Sequence, residues 1–243
     1  MPFRFSSSSP DAQRAELFEL TRGKLIVSAQ APTGHAMRDT QTLTHVALAC
    51  AQAGSPAIRC GGYSGIADIS SIASAVDVPV FGLTKEGDTG AYITPTVDSV
   101  RQVATAGAAV VCADATGRPR PDGSTLEDLV AAAHDEGALL MADCATPEDV
   151  ARAHTAGVDL MSTTLAGYTE ARAATEGPDL ECIREARQAI GESAFLIGEG
   201  RFHSPEAVAA GFDAGADAII AGTAITDPGW ITRRFQSGQP AQP

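Results

Sequence analysis

A single-domain (β/α)8 barrel is predicted for this 243-residue chain by three observations. Short apolar runs alternate with amphipathic stretches from one end to the other. The runs carry almost no polar/apolar alternation, which marks strands buried on both faces in a parallel sheet. Glycine followed by Ala-Asp or Val-Asp recurs where a helix would end and a strand begin, at Gly157-Val158-Asp159 and Gly215-Ala216-Asp217. Eight such units leave no edge strand over, which favours closure; a doubly wound open sheet is the alternative topology.

In chain order the expected strands are KLIVSA from Lys24, AIRC from Ala57, PVFGL from Pro79 and AVVCAD from Ala109. ALLMAD from Ala138, VDLMST from Val158, FLIGEG from Phe195 and DAIIAG from Asp217 complete the set. Helical patterns run between them over Thr40 to Ala53, Leu126 to Glu136, Pro147 to Ala156 and Pro205 to Ala214. Several open on Ser-Pro or Thr-Pro followed by a glutamate, the signature of a capped N-terminus. Residues 23–243 would form the barrel, and residues 1–22 an extension. The polar, Ser-rich MPFRFSSSSPDAQ reads as a frayed start, with Ser9-Pro10-Asp11 able to cap a short helix over Arg14 to Leu20.

A formal net charge of -13 with no basic run argues against binding to a nucleic-acid backbone, so any anionic ligand needs a local site. Five cysteines without a C-x-x-C pair read as reduced core thiols. Neither an N-terminal apolar segment nor a long uncharged apolar run is present, so neither a signal peptide nor a membrane span is expected. A cytoplasmic protein is the resulting expectation.

In such barrels the working residues sit where the strands end at their C-terminal side. Those positions hold Ser28 and Gln30, Arg59, Lys85, Asp114, Asp143, Thr163 and Thr164, Glu199 with Arg201, and Gly222 with Thr223. A strand-end Asp alone usually caps a turn, and a loop Lys or Arg is usually solvated surface. Eight strand ends around one axis, however, share one small space. GEGR and AGTAIT, after the seventh and eighth strands, carry the anion signal: Gly200 and Gly222 let backbone N–H groups approach, Thr223 adds a hydroxyl and Arg201 a cation. Tight turns alone would also use these glycines. Glu199, one residue before the phosphate loop, is left for chemistry. Its expected partner is Lys85, where burial and a neighbouring Arg59 would favour the neutral amine that a base requires. His35 and His203 are rival acid–base candidates, with His203 in a helix-start segment that suits a cap or surface role. No metal-ligand spacing is found, although Asp114, Asp122 and Asp143 could gather, and neither a dinucleotide fingerprint nor a P-loop is present.

GKLIVSAQA, IRC, YITPT, DATGRPRPDG, MADCATPED, TTLAGYT, GEGRFHSPE and AGTAITDP together resemble the N-acetylmannosamine-6-phosphate 2-epimerase family over about Gly23 to Phe235. The resemblance implies a cofactor-free (β/α)8 isomerase of sialic acid and amino-sugar catabolism, a homodimer, which inverts carbon 2 of N-acetylmannosamine 6-phosphate. It implies Lys85 as base, Glu199 as second acid–base residue, Gln30, Arg59 and Asp143 lining the sugar, and Gly200, Arg201, Gly222 and Thr223 holding the phosphate. Ala29, Glu86-Gly87-Asp88, Ala145-Thr146 and the loop PTGHAMRD depart from the family pattern and bear on sugar specificity more than on reaction type. A Schiff-base aldolase or lyase using Lys85, or a sugar-phosphate sensor without chemistry, are the competing readings.

Overall fold

The computed structural model describes residues 2–239, so the last four positions of the expected barrel domain lie outside the described residues. Eight parallel strands close into a barrel in sequential order: β1 (Leu25–Ala29), β2 (Ile58–Gly62), β3 (Val80–Thr84), β4 (Val110–Asp114), β5 (Leu139–Asp143), β6 (Leu160–Ser162), β7 (Leu196–Glu199) and β8 (Ala218–Ala221). β1 pairs with β8 through Leu25–Ile219, Ile26–Ile220 and Val27–Ala221, which closes the ring and rules out the open-sheet alternative.

Helix α1 (Pro10–Thr21) precedes the barrel, and α2 (Thr40–Gln52), α3 (Ile66–Ala75), α4 (Val97–Thr105), α5 (Leu126–Asp135), α6 (Pro147–Thr155), α7 (Leu180–Ile190) and α8 (Pro205–Asp213) cross between strands. A single helical turn, α9 (Thr223–Thr226), and α10 (Pro228–Gln236) follow β8. The caps predicted at Thr146 and Ser204 form, whereas Ser9 precedes α1 without a side-chain cap. Thr146 accepts from Asp149 N–H while the Asp149 carboxylate accepts from Thr146 N–H, and Thr125 and Asp128 make the same reciprocal box on α5. Pro147 and Pro205 stand in the first turn, where a missing N–H costs nothing.

The core has two layers. Val27, Ile58, Cys60, Val111, Leu140 and Met161 face outward under the helices, whereas Ile26, Phe81, Val110, Met141, Ile197 and Ile220 fill the barrel interior. The start of the chain is more ordered than its composition suggests. Helix α1 begins at Pro10, and Leu17 is fully buried in the interior cluster, with Phe18 stacked on Phe195 at 4.2 Å. Phe5 packs against the same cluster and Ser6 donates to the Glu16 carboxylate, so the expected fraying does not occur. Arg14 pairs with Asp159 and Arg22 with Asp217, which seats α1 across the end of the barrel opposite the site described next.

Candidate active site

Alternation along each strand selects the side chains that meet at the axis. Ile58 and Cys60 join the outer layer, so Arg59 between them turns inward; by the same parity Lys85 continues Phe81 and Leu83, Asp143 continues Leu139 and Met141, and Glu199 continues Ile197. Above them opens a cavity of about 380 Å³ at the C-terminal ends of the strands. Gln30, Arg59, Lys85, Thr164, Glu199, Gly200, Arg201, Gly222 and Thr223 all reach its wall.

Arg59 is the hub of this group and is only 2 % exposed. Its Nη2 donates to Asp143 Oδ2 at 2.7 Å and its Nη1 to Asp143 Oδ1 at 3.1 Å, a bidentate pair that also fixes the guanidinium plane. Nη1 further donates to Glu199 Oε2 and to Thr164 Oγ1. Burial works against the Arg59 charge, but Asp143 and Glu199 outweigh it and hold the group protonated. Arg59 Nε is buried without a hydrogen-bond partner among the described residues.

Glu199 is set apart by its surroundings. Burial raises its carboxyl pKa most, Arg59 pulls it back, Asp143 pushes it up again and the Thr164 hydrogen bond opposes; the balance is about 7. This carboxyl therefore exchanges a proton near neutrality.

Lys85 stands immediately after β3, with its backbone N–H donating to Gly62 O at 3.1 Å and its carboxyl-side neighbour Glu86 donating N–H to Tyr92 O at 2.8 Å. Its Nζ lies 4.5 Å from the centre of the Tyr63 ring and 3.4 Å from the Tyr63 hydroxyl. The environment differs from expectation, because Arg59 is spent on Asp143 and Glu199 rather than standing as a bare cation beside the amine. Tyr63, invisible to motif reasoning in a loop after β2, is the residue that touches Lys85.

Two other expected site residues occupy different positions. Asp143 is completely buried behind Arg59 and does not reach the cavity wall, since both its oxygens are taken by Arg59 and Thr164. Arg201 does reach the wall, but its Nε donates to Gly177 O at 2.9 Å and its Nη2 to Ala166 O at 3.0 Å and Thr175 Oγ1 at 3.1 Å. It ties down the long loop between β6 and α7. Gly200 and Arg201 have φ of 110° and 59°, so two consecutive left-handed residues bend the chain sharply after β7.

Gly222 follows β8 where a Cβ would come within 3.1 Å of Ser28 O, and Thr226 donates to that same carbonyl at 2.9 Å. These contacts bring the start of α9 against the end of β1, next to Gln30, whose Nε2 donates to Ser28 Oγ at 3.0 Å. Of the histidines, His203 is largely exposed, with its ring 4.8 Å from Trp230 and its pKa lowered by partial desolvation and by Arg201 and Arg234. His35 pairs with Asp227 at 3.4 Å across the mouth. Ala29 and Ala145 are fully buried and Glu86 accepts from Thr84 and Ser99, so among the departures from pattern only PTGHAMRD, through Pro32, His35 and Met37, reaches the cavity. Among the described residues no group of three His, Cys, Asp or Glu side chains is arranged to hold a metal, and no helix is long and apolar enough to cross a membrane.

Comparison with known proteins converges on one family. Residues 43–239 match the family described as "Putative N-acetylmannosamine-6-phosphate epimerase". A protein from Corynebacterium glutamicum strain R named "Putative N-acetylmannosamine-6-phosphate 2-epimerase" is 66 % identical over 227 residues, covering 93 % of this chain and 97 % of that protein. One of the same name from Cutibacterium acnes is 41 % identical over 215 residues, covering 88 % and 93 %. The solved structure of the N-acetylmannosamine-6-phosphate 2-epimerase from Clostridium perfringens superposes with a TM-score of 0.85 at 34 % identity, covering 91 % of this chain and 95 % of that one.

Proposed function

The chain belongs to the N-acetylmannosamine-6-phosphate epimerase family, and on that premise we propose that it interconverts the 6-phosphates of N-acetylmannosamine and N-acetylglucosamine by inverting carbon 2. The reaction serves amino-sugar and sialic acid catabolism in the cytoplasm, and the enzyme works as a homodimer. The observation that carries the reading is a lysine and a proton-holding carboxyl facing one cavity from strands β3 and β7, four apart in a closed ring of eight and hence on opposite sides.

Carbon 2 is acidic only in the open-chain aldehyde. Lys85 removes its proton, the C–H electron pair passing into the C1–C2 bond and onto the aldehyde oxygen. Gln30 and Arg59 offer donors toward the enolate that results. Glu199, protonated, returns a proton to the opposite face, and exchange with solvent resets both groups. A pKa near 7 suits a carboxyl that gives up a proton at neutral pH. The phosphate rests on the Gly200–Arg201 bend and the Gly222–Thr223 start of α9, whose first N–H groups have no acceptor within the helix. This grip supplies binding energy that aligns the reacting carbon.

The test is exchange of the carbon 2 hydrogen of N-acetylmannosamine 6-phosphate in deuterated water, followed by NMR. The wild type incorporates deuterium and Lys85→Ala does not. A wild type that leaves the hydrogen in place rejects the assignment, and a borohydride-trapped adduct at Lys85 redirects it to Schiff-base chemistry.

A further inference from the structure

The chain has only three tyrosines and two lysines, and the disposition of the tyrosines is not random. Tyr63, Tyr92 and Tyr168 all line the cavity, and each carries a cation over its ring: Lys85 at 4.5 Å, Arg118 at 5.0 Å and Arg201 at 5.2 Å. Arg118 and Arg201 are also anchored by hydrogen bonds to Asp114, Ala166 and Gly177. Lys85 differs, because its Nζ is held by Tyr63 alone through side-chain contacts among the described residues.

We propose that Tyr63 is a positioning residue for the epimerisation, holding the Lys85 amine over its ring and stabilising the ammonium formed when Lys85 accepts the carbon 2 proton. The inference rests on the reading of Lys85 as the base. In the step concerned, the C2–H bond breaks, its electrons move to the aldehyde oxygen and the proton forms a fourth bond to Nζ, so positive charge appears on nitrogen as negative charge appears on oxygen. An aromatic face under that nitrogen attracts the cation and has little hold on the neutral amine, so it favours the state after transfer over the state before it.

The backbone is shaped to make this contact. Gly61 and Gly62 end β2 at φ of 99° and 71°, and a Cβ on Gly62 would come within 2.6 Å of Gln30 Oε1. Left-handed glycines here turn the chain toward β3, where Gly62 O accepts the Lys85 N–H, and set Tyr63 beside the lysine instead of over the barrel axis. Tyr63 remains 46 % exposed on the cavity wall beside Lys85.

The proposal is tested by comparing Tyr63→Leu, Tyr63→Phe and Lys85→Ala in the carbon 2 exchange assay, with kcat and KM measured separately. Tyr63→Leu loses about 2- to 30-fold in kcat with KM little changed, the range that a cation–π contact of usual strength supplies, and Tyr63→Phe recovers most of that loss because the ring is restored. A second readout does not depend on activity. Reductive methylation with 13C-formaldehyde labels only Lys24, Lys85 and the N-terminus, and the Lys85 methyl resonance lies upfield of that of Lys24 in wild type and Tyr63→Phe but not in Tyr63→Leu. Wild-type kcat in Tyr63→Leu, equal losses in Leu and Phe variants, or the absence of a ring-current shift overturns the role of the ring. Retained exchange in Lys85→Ala overturns the base itself, so the two failures are distinguishable.

Discussion

Thr164 Oγ1 stands 3.0 Å from Glu199 Oε2 with a single proton to give. The same oxygen lies 2.6 Å from Asp143 Oδ1 and 2.8 Å from Ser162 Oγ. A hydroxyl donates once. Asp143 Oδ1 and Glu199 Oε2 therefore compete for that one proton.

Thr164→Val removes a hydrogen bond that favours the charged form of Glu199, so the carboxyl holds its proton to higher pH. The alkaline limb of the pH–rate profile, where the proton donor is lost, moves upward from its wild-type position. A limb that stays in place or moves down counts against Glu199 as donor.

Glu199 also makes stability depend on pH. Its pKa rises from 4.5 in the unfolded chain to about 7 in the fold, so between those values the native state binds more protons. The stabilisation present below 4.5 is lost as pH climbs through that window. Glu199→Gln therefore gains stability over wild type as pH rises, by on the order of 1–3 kcal/mol at pH 8, while losing carbon 2 exchange. Thermal melts at pH 5 and pH 8 check the sign.

Arg59→Met leaves Asp143 and Glu199 buried without their shared cation. The expected cost is about 3–5 kcal/mol, read by urea denaturation. Because protonation relieves part of that cost, the deficit shrinks when the same titration is run at acidic pH.

Arg201→Gln removes donors to Ala166 O and Gly177 O as well as a cation at the cavity wall. KM for the sugar phosphate rises by roughly 10- to 100-fold, the loss of a charge-assisted contact, with a smaller change in kcat. An unchanged KM separates Arg201 from the phosphate and leaves it a loop clamp only.

Leu17→Ala tests whether α1 belongs to the barrel. Its side chain is fully buried in the interior cluster, so about 2–5 kcal/mol is expected from transfer and cavity terms together. A loss below 1 kcal/mol, against that range, would mean the helix is a dispensable appendage.

Eight strand runs, their order and their closure were legible in the chain, because a parallel barrel buries both faces of every strand and writes that as unbroken apolar segments. The strand-end polar residues were legible too, since polarity at the end of such a segment has nowhere else to go than the mouth. What local pattern could not carry was partnership. Both neighbours of Arg59 are apolar, so the sequence shows no preference between axis and helix layer, and only the register of the closed ring turns Arg59 inward onto Asp143 and Glu199. Tyr63 was missed for the same reason: its meaning lies in a contact with Lys85, 22 residues away, set by a glycine bend. Composition and periodicity decide which segments are buried, because burial is a property of each segment; the pairing of charges and protons is decided by distances across the axis, which exist only once all eight strands have closed.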